Sequence, residues 1–186
     1  VLCRGLEADI DMAADLGVWG VRLSFPISDI EREYKLKGIS QADYLARMRS
    51  LVEYANVKGL AVIFSPFDTT RANLPFLRKV AAELAALDGV DRLRIVDTTG
   101  CALPEAIGFI VENVKEAAPS LAMEIHCHND FGLSCANTLA GLMAGADYAS
   151  TTLNGIGERC GHASTEEVVM ALETLCGHDT GVRHAS

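Results

Sequence analysis

Two histidines spaced two residues apart give this sequence its clearest chemical signal. His126 and His128 follow a short apolar segment that predicts a buried strand over residues 121–127. Side chains at positions i and i+2 leave the same face of a strand, so both imidazoles should point the same way. Such a pair can share one metal ion, although two hydrogen-bonded histidines at a strand end would give the same pattern.

Other polar residues that could act with these histidines also stand where strand-like segments end. Asp97-Thr-Thr-Gly100 closes the segment RLRIV, and Ser65 ends the apolar run LAVIFS. The glycine-rich loop at 154–161 follows the segment YASTTL. Parallel α/β folds gather their chemistry at the carboxyl ends of their strands. We therefore expect these loops to surround the histidine pair.

The elements that must position these residues alternate between strand-like and helix-like segments. The period is roughly 30 residues, which favours a parallel sheet with right-handed crossovers. The predicted strands are 18–25, 60–65, 92–96, 121–127 and 148–153, with a strand-like start at 1–3. The predicted helices are 6–16, 41–58, 74–87, 104–118, 134–144 and 165–175, and residues 28–37 are predicted to form a polar loop.

The number of units decides between a barrel and an open sheet. A complete (β/α)8 barrel takes about 250 residues, whereas this chain has 186. An open dinucleotide-binding sheet usually carries Gly-x-Gly-x-x-Gly after its first strand, and this sequence has none there. We therefore predict an α/β fold that is a partial TIM (β/α)8 barrel of five to six βα units. It should form a single domain over residues 1–186.

The charge and the cysteine pattern of the sequence limit the classes of binding partner and the cellular location that we expect. The formal net charge is −9 and no basic run is present, which argues against nucleic acid or an anionic membrane as a main partner. No apolar run is long enough to span a bilayer. The six cysteines form no Cys-x-x-Cys motif, which indicates reduced thiols and predicts a cytoplasmic protein.

Four segments carry a resemblance to a known family: HCHNDFGLSCAN, TTLNGIGERCG, ASTEEVVMAL and VDTTGCALP. In this order and spacing they resemble the isopropylmalate, homocitrate and citramalate synthases. Those enzymes belong to a metal-dependent barrel superfamily that also includes hydroxymethylglutaryl-CoA lyase. The resemblance runs through nearly all of the chain. It implies a transferase of amino-acid (for example leucine) biosynthesis that joins acetyl-CoA to a 2-oxo acid with the help of a divalent metal ion.

The same resemblance implies roles for individual residues. His126 and His128 match metal ligands, and imidazole ligands with open coordination positions suit Zn, Mn or Mg. The implied substrate-binding residues are Ser65, Thr98, Asn154, Gly155 and Gly157. The implied catalytic residues are Asp97, Glu158 and Arg159.

Several positions depart from the family pattern. The family's Arg-Asp-Gly motif is absent, so we expect the chain to lack the first two barrel strands. His162 stands where many members have an asparagine ligand, and it could either bind the metal or face solvent. Phe67 replaces a glutamate, and Arg22 replaces a histidine. These departures leave the acid–base residues and the identity of the oxo acid open.

Three other functions remain compatible with the sequence. A lyase would run the reverse cleavage, although the segment GERCG differs from the Gly-Gly-Cys-Pro typical of lyases. A metal-dependent hydrolase would normally carry His-x-His on its first strand. A fragment could fold without turnover, because two histidines alone are fewer than the roughly three ligands of a catalytic site. An unclosed barrel also leaves two strand edges unpaired, which predicts a homo-oligomer formed through those edges.

Overall fold

The chain folds into one sheet with helices on its outer side. The structure is a computed structural model that describes residues 1–183, so the last three residues of the predicted domain lie outside it. Six parallel strands pair in chain order: β1 (Leu2–Arg4), β2 (Gly20–Ser24), β3 (Ala61–Ser65), β4 (Val90–Asp97), β5 (Met123–Cys127) and β6 (Tyr148–Ala149). The α-helices of the described part are α1 (Glu7–Asp15), α2 (Asp29–Lys35), α3 (Gln41–Val57), α4 (Leu74–Ala85), α5 (Pro104–Ala117), α6 (Ser134–Met143) and α7 (Thr165–Thr174). The predicted partial (β/α)8 barrel is confirmed.

Alternation along the strands separates an apolar outer face from a polar concave face. On β5, Met123, Ile125 and Cys127 are fully buried in the core between sheet and helices. Gly141 of α6 allows this close packing, because a Cβ there would lie 2.9 Å from Cγ1 of Ile125. The intervening residues of β5 therefore face the inside of the barrel, as the two-residue period requires.

An aromatic cluster fixes the helices α3 and α4 against the sheet. Phe25 lies 4.6 Å from Tyr44 between ring centroids, and Tyr44 lies 5.3 Å from Phe76 in an edge-to-face arrangement. These rings are almost completely buried. Aromatic pairs of this geometry add to the stabilisation from buried area. This side of the barrel is therefore closed by packed aromatic rings.

The prediction of a polar loop over residues 28–37 is wrong, because α2 lies there. Ser28 is its N-cap, and the Ser28 side chain accepts a hydrogen bond from the backbone N–H of Glu31 at 3.3 Å. Asp29 and Glu31 occupy the first turn, where acidic side chains are favourable, and Lys35 pairs with Glu31 at 2.7 Å. The N-cap and the ion pair stabilise a helix in this segment, although its polar composition suggested a loop.

The last strand is also shorter than predicted, whereas the remaining elements match their predicted bounds within two residues. The prediction extended it to Leu153, but β6 ends at Ala149 and a 3-10 helix covers Leu153–Gly155. Backbone groups of Thr152 bond instead to the returning loop, through Thr152 N to the carbonyl of Ala163 at 3.1 Å. The chain's own loop therefore pairs with the segment that follows β6, whereas β6 itself is not covered by this loop.

Within residues 1–183, the strands β1 and β6 each pair on one side only. Self-association through these edges stays a prediction. Across the same residues, the helices are all too short or too polar to cross a lipid bilayer.

Candidate metal centre

Three histidines meet at the carboxyl end of β5. His126 and His128 leave the same side of the strand, which confirms the predicted common face, and their ring centroids lie 5.1 Å apart. His162 approaches from the loop after β6, at 4.5 Å from the His126 ring and 4.1 Å from the His128 ring. One ring nitrogen from each lies within 4.8 Å of the other two. This spacing suits three imidazoles around one cation.

Loop backbone conformation brings His162 to this position. Gly155 and Gly161 have positive φ angles of 65° and 93°, which glycine adopts without strain. The N–H of His162 donates to the carbonyl of Gly155 at 3.0 Å, and the N–H of Asn129 donates to the carbonyl of Gly161 at 3.0 Å. These bonds attach the loop directly to the residue that follows His128.

Gly157 permits the close approach of the His162 ring. A Cβ at position 157 would lie 1.8 Å from Cδ2 of His162 and 2.5 Å from its Nε2. No real side chain fits at such distances, so any residue other than glycine would displace either the ring or the loop. The glycine of the GIGER segment is therefore part of the histidine site.

Hydrogen bonding distinguishes the three rings. Nδ1 of His126 lies 2.9 Å from Oγ of Ser150, which leaves Nε2 of His126 for another partner. Nδ1 of His128 and Nδ1 of His162 are buried without a hydrogen-bond partner. Buried polar atoms without partners are costly. A cation that accepted these lone pairs would remove that cost, so the three residues fit a divalent metal ion.

The protonation states agree with this fit. Burial, with a smaller contribution from Arg94, lowers the pKa of His126 to about 2. Burial and the neighbouring His162 lower the pKa of His128 to about 4, and burial also lowers the pKa of His162. All three imidazoles are therefore neutral at pH 7, which is the form that binds metal.

The histidines open into a cavity of about 540 Å³ on the concave face. This volume lies within the range of small-molecule sites. The predicted site residues that line it are Ser65, Thr98, His126, His128, Gly157, Glu158 and His162. The predicted site residues outside it are Asp97, Asn154, Gly155 and Arg159.

Asp97 points away from the cavity and is fully buried. Its carboxylate accepts hydrogen bonds from Thr70 Oγ1 at 3.0 Å, from the N–H of Ala102 at 3.3 Å and from Asn137 Nδ2 at 3.4 Å. Burial raises the pKa of Asp97, against the effect of these donors. These contacts describe a residue that positions the loop after β4, because the alternation of β4 turns its side chain to the helix side.

Arg159 connects three loops at the mouth of the cavity. Its guanidinium donates to both carboxylate oxygens of Asp130, at 2.7 Å and 2.8 Å, and to the backbone carbonyl of Thr98 at 2.7 Å. Next to it in the loop, the N–H of Asn154 donates to the carboxylate of Glu166 at 3.0 Å. Arg159 and Asn154 therefore hold the loop that carries His162.

Sequence reasoning missed a set of charged residues on the concave face. Arg94 lines the cavity, and its guanidinium forms an ion pair with Glu124 on β5. Nε of Arg92 lies 3.0 Å from the same carboxylate. The alternating segment Arg-Leu-Arg on β4 was the available signal, because it places two charges on one face of a buried strand. Arg22, noted only as a departure from the family pattern, also lines the cavity.

The family model described as HMGL-like matches residues 1–186. The chain belongs to the HMGL-like family. Relatives include the 2-isopropylmalate synthase of Sulfolobus acidocaldarius, at 43% identity over 98% of this chain, and a homocitrate synthase of Methanocaldococcus jannaschii, at 44% identity over 97%. The chain spans 47% and 44% of their respective lengths.

Solved structures confirm the fold of this family member. The HMG-CoA lyase of Brucella melitensis superposes with a TM-score of 0.80 at 19% identity, over 98% of this chain and 68% of the lyase chain. Such low identity supports the shared barrel architecture and no more.

Proposed function

We propose that the protein carrying this chain joins the methyl carbon of acetyl-CoA to the carbonyl carbon of a 2-oxo acid. The observation that carries this proposal is the set of three converging imidazoles at the mouth of the barrel, in a family whose relatives include synthases of this kind. A divalent ion such as Zn, Mn or Mg, held by His126, His128 and His162, would supply Lewis-acid polarisation of the oxo acid's carbonyl. This chemistry requires the neutral imidazoles described above.

Two hydroxyl groups are available to hold the carboxylate next to that carbonyl. Oγ1 of Thr98 accepts a hydrogen bond from the N–H of Asp68 at 2.7 Å, so its own proton is free to donate into the cavity. Ser65 is buried and lines the same cavity from the neighbouring strand. We assign both residues to substrate binding.

Glu158 is the one carboxylate among the residues that line this cavity. We assign it as the base that takes a proton from the methyl group of the thioester. The resulting carbanion attacks the carbonyl carbon of the oxo acid, and the alkoxide formed takes up a proton. Water then cleaves the thioester and releases the thiol of CoA. The adjoining backbone at Asn154, Gly155 and Gly157 would contact the thioester substrate, where glycines allow close approach.

The contacts of Asp97 and Arg159 favour positioning roles over direct catalysis. Asp97 bonds to the loop after β4, and Arg159 connects the His162 loop to Asp130 and Thr98. A cytoplasmic location and a homo-oligomer also remain predictions.

The test uses the protein expressed from its complete open reading frame. Acetyl-CoA is combined with a panel of 2-oxo acids and a divalent metal, and the released CoA thiol is measured. We expect His126→Ala and His128→Ala to lower the rate by at least about a hundredfold, because each removes one of three ligands. The matched control is His178→Ala, since His178 is exposed and lies outside the cavity.

Two results would contradict the proposal. Unchanged thiol release in both histidine variants would show that the activity does not depend on this site. Release of acetyl-CoA from a hydroxyacyl-CoA, without condensation of any 2-oxo acid, would assign the lyase reaction instead.

A further inference from the structure

A fully buried carboxylate lies next to the cavity, in the loop that follows β3. Asp68 has no exposed surface, and it does not belong to the cavity lining. The hydroxyl of Ser28, in the loop after β2, donates to Oδ2 of Asp68, and Nε of Arg71 donates to Oδ1 at 2.8 Å. A buried charge is costly unless such partners hold it. The carboxylate is therefore fixed between two loops of the barrel mouth.

The backbone of Asp68 adopts the left-handed conformation, with a φ of 65° and a ψ of 36°. Residues that carry a Cβ rarely adopt this region, although aspartate and asparagine tolerate it better than most others. Strained backbone of this kind persists only where the surrounding contacts fix it, and it gathers at functional sites. The two hydrogen bonds to the carboxylate of Asp68 are contacts of this kind.

In this conformation the backbone N–H of Asp68 donates to Oγ1 of Thr98 at 2.7 Å. A hydroxyl group has one proton to donate and two lone pairs to accept with. Because the N–H occupies one lone pair, the hydroxyl proton of Thr98 cannot point at Asp68. The proton is therefore available to an acceptor in the cavity, which Thr98 lines.

A second hydrogen bond fixes the Asp68 loop along β4. The side chain of Thr69 is almost completely buried, and its Oγ1 accepts from the N–H of Val96 at 3.0 Å. The same hydroxyl donates to the carbonyl of Pro66. Val96 lies two residues before Thr98, so two successive loop residues are bonded to the end of this strand. The distance between Asp68 and Thr98 is therefore set by the sheet as well as by the loop.

We propose that Asp68 is a positioning residue for the hydroxyl of Thr98. The carboxylate, held by Ser28 and Arg71, keeps the backbone of Asp68 in the left-handed conformation. The backbone N–H then orients the Thr98 hydroxyl toward the carboxylate of the bound 2-oxo acid. This inference rests on the proposed function and adds a residue that acts through Thr98 without touching the substrate. Without the carboxylate, an unstrained backbone conformation becomes more favourable and the N–H turns away.

Calorimetric binding of 2-oxo acids to the complete protein, loaded with a divalent metal, tests this role. The probes are pyruvate, 2-oxoisovalerate and 2-oxoglutarate, which share the oxo and carboxylate groups and differ in their side chains. We expect Asp68→Ala to weaken binding of each probe that the parent binds by about tenfold, because a hydrogen bond to a charged group is lost. The KM for the 2-oxo acid should rise by a similar factor, whereas the KM for acetyl-CoA should change by less than about twofold.

A double-mutant cycle with Thr98→Val separates positioning from a general loss of structure. Thr98→Val removes the hydroxyl and should itself weaken binding by about tenfold. In the Thr98→Val background, Asp68→Ala should weaken binding by less than about twofold, because the group that it positions is already absent. Asp68→Asn should bind like the parent, since asparagine tolerates the left-handed conformation and keeps an acceptor for Ser28.

Arg71→Gln decides the question if Asp68→Ala does not fold. The side chain of Arg71 is 41% exposed, so its replacement should leave the barrel intact while it loosens the carboxylate of Asp68. We expect binding to weaken by about threefold, and only while the hydroxyl of Thr98 is present. Lys37→Ala is the matched control, since Lys37 also has a positive φ of 54° but is exposed and lies outside the cavity. It should bind the probes like the parent.

Other results would overturn the inference. Affinities like that of the parent in Asp68→Ala and Arg71→Gln would do so and leave the proposed function intact. Equal losses in the parent and Thr98→Val backgrounds would also overturn it, because Asp68 would then act on the fold and not through the hydroxyl. Absence of binding of every 2-oxo acid by the parent would overturn the proposed function, and this inference with it.

Discussion

Replacement of Gly157 by alanine should disable the histidine site without unfolding the barrel. The added Cβ would lie 1.8 Å from Cδ2 of His162, whereas ordinary contact begins near 3.4 Å. The ring and the added methyl group must therefore separate by at least 1.6 Å. Because Gly157 has no positive φ, backbone strain does not contribute and the clash alone determines the effect.

The size of this displacement determines how much metal affinity should be lost. A ligand atom moved by more than about 1 Å leaves the coordination distance that a divalent ion requires, since acceptable deviations are about 0.2 Å. The site would then keep two of its three imidazoles. We expect the metal affinity of Gly157→Ala to fall by about 10- to 100-fold, or about 1.4 to 2.7 kcal/mol.

Metal titration by calorimetry, with thermal unfolding of the metal-free protein measured in parallel, tests this reasoning. Gly108→Ala is the matched control, because a Cβ at that position in α5 meets only Ala144 at an ordinary 3.9 Å. The loop containing Gly157 is exposed, so the metal-free melting temperature of Gly157→Ala should stay close to that of the parent. Metal affinity within about threefold of the parent would show that His162 is not a ligand, and would refute the argument.

Three further predictions follow from the same contacts. His162→Asn should retain more metal affinity than His162→Ala in the same titration, because an amide oxygen can still reach the ion; equal loss in both would contradict this. Glu124→Gln should destabilise the protein by about 3 to 5 kcal/mol in denaturant unfolding, since it leaves the buried guanidinium group of Arg94 without its carboxylate. Glu116→Gln is its surface control and should leave the unfolding midpoint unchanged. Gly108→Ala should raise the melting temperature by about 2 to 4 °C, because alanine favours the helix interior; a lower value would refute this.

Much of the barrel follows from periodicity that the sequence displays directly. The continuous apolar run of β3 predicted a strand that is covered on both faces, and the apolar segment before His126 predicted β5. The common face of His126 and His128 needed only the two-residue period of a strand. Such local patterns hold in the folded protein because side chains alternate between the two faces of the sheet along every strand.

Other features depend on pairing between distant segments and were not predictable locally. The Arg94–Glu124 ion pair requires the register of β4 against β5, which no single segment encodes. The orientation of Asp97 also depends on that register, since one residue of shift would turn its carboxylate into the cavity. α2 was missed for a different reason: its polar composition concealed the cap at Ser28.

The strand that positions His126 and His128 is held more strongly than the loop that carries His162. This difference determines which part of the histidine site a mutation can displace. His126 lies in β5 and His128 directly follows it, with its N–H bonded to the carbonyl of Asp97 at 3.3 Å, so moving them would require breaking the sheet. His162 depends on an exposed loop held by Arg159 and by the bond from Asn129 to Gly161. Surface contacts of this kind are individually weak. The loop can therefore release His162 while the barrel remains folded, so metal affinity should respond to changes in the loop long before global stability does.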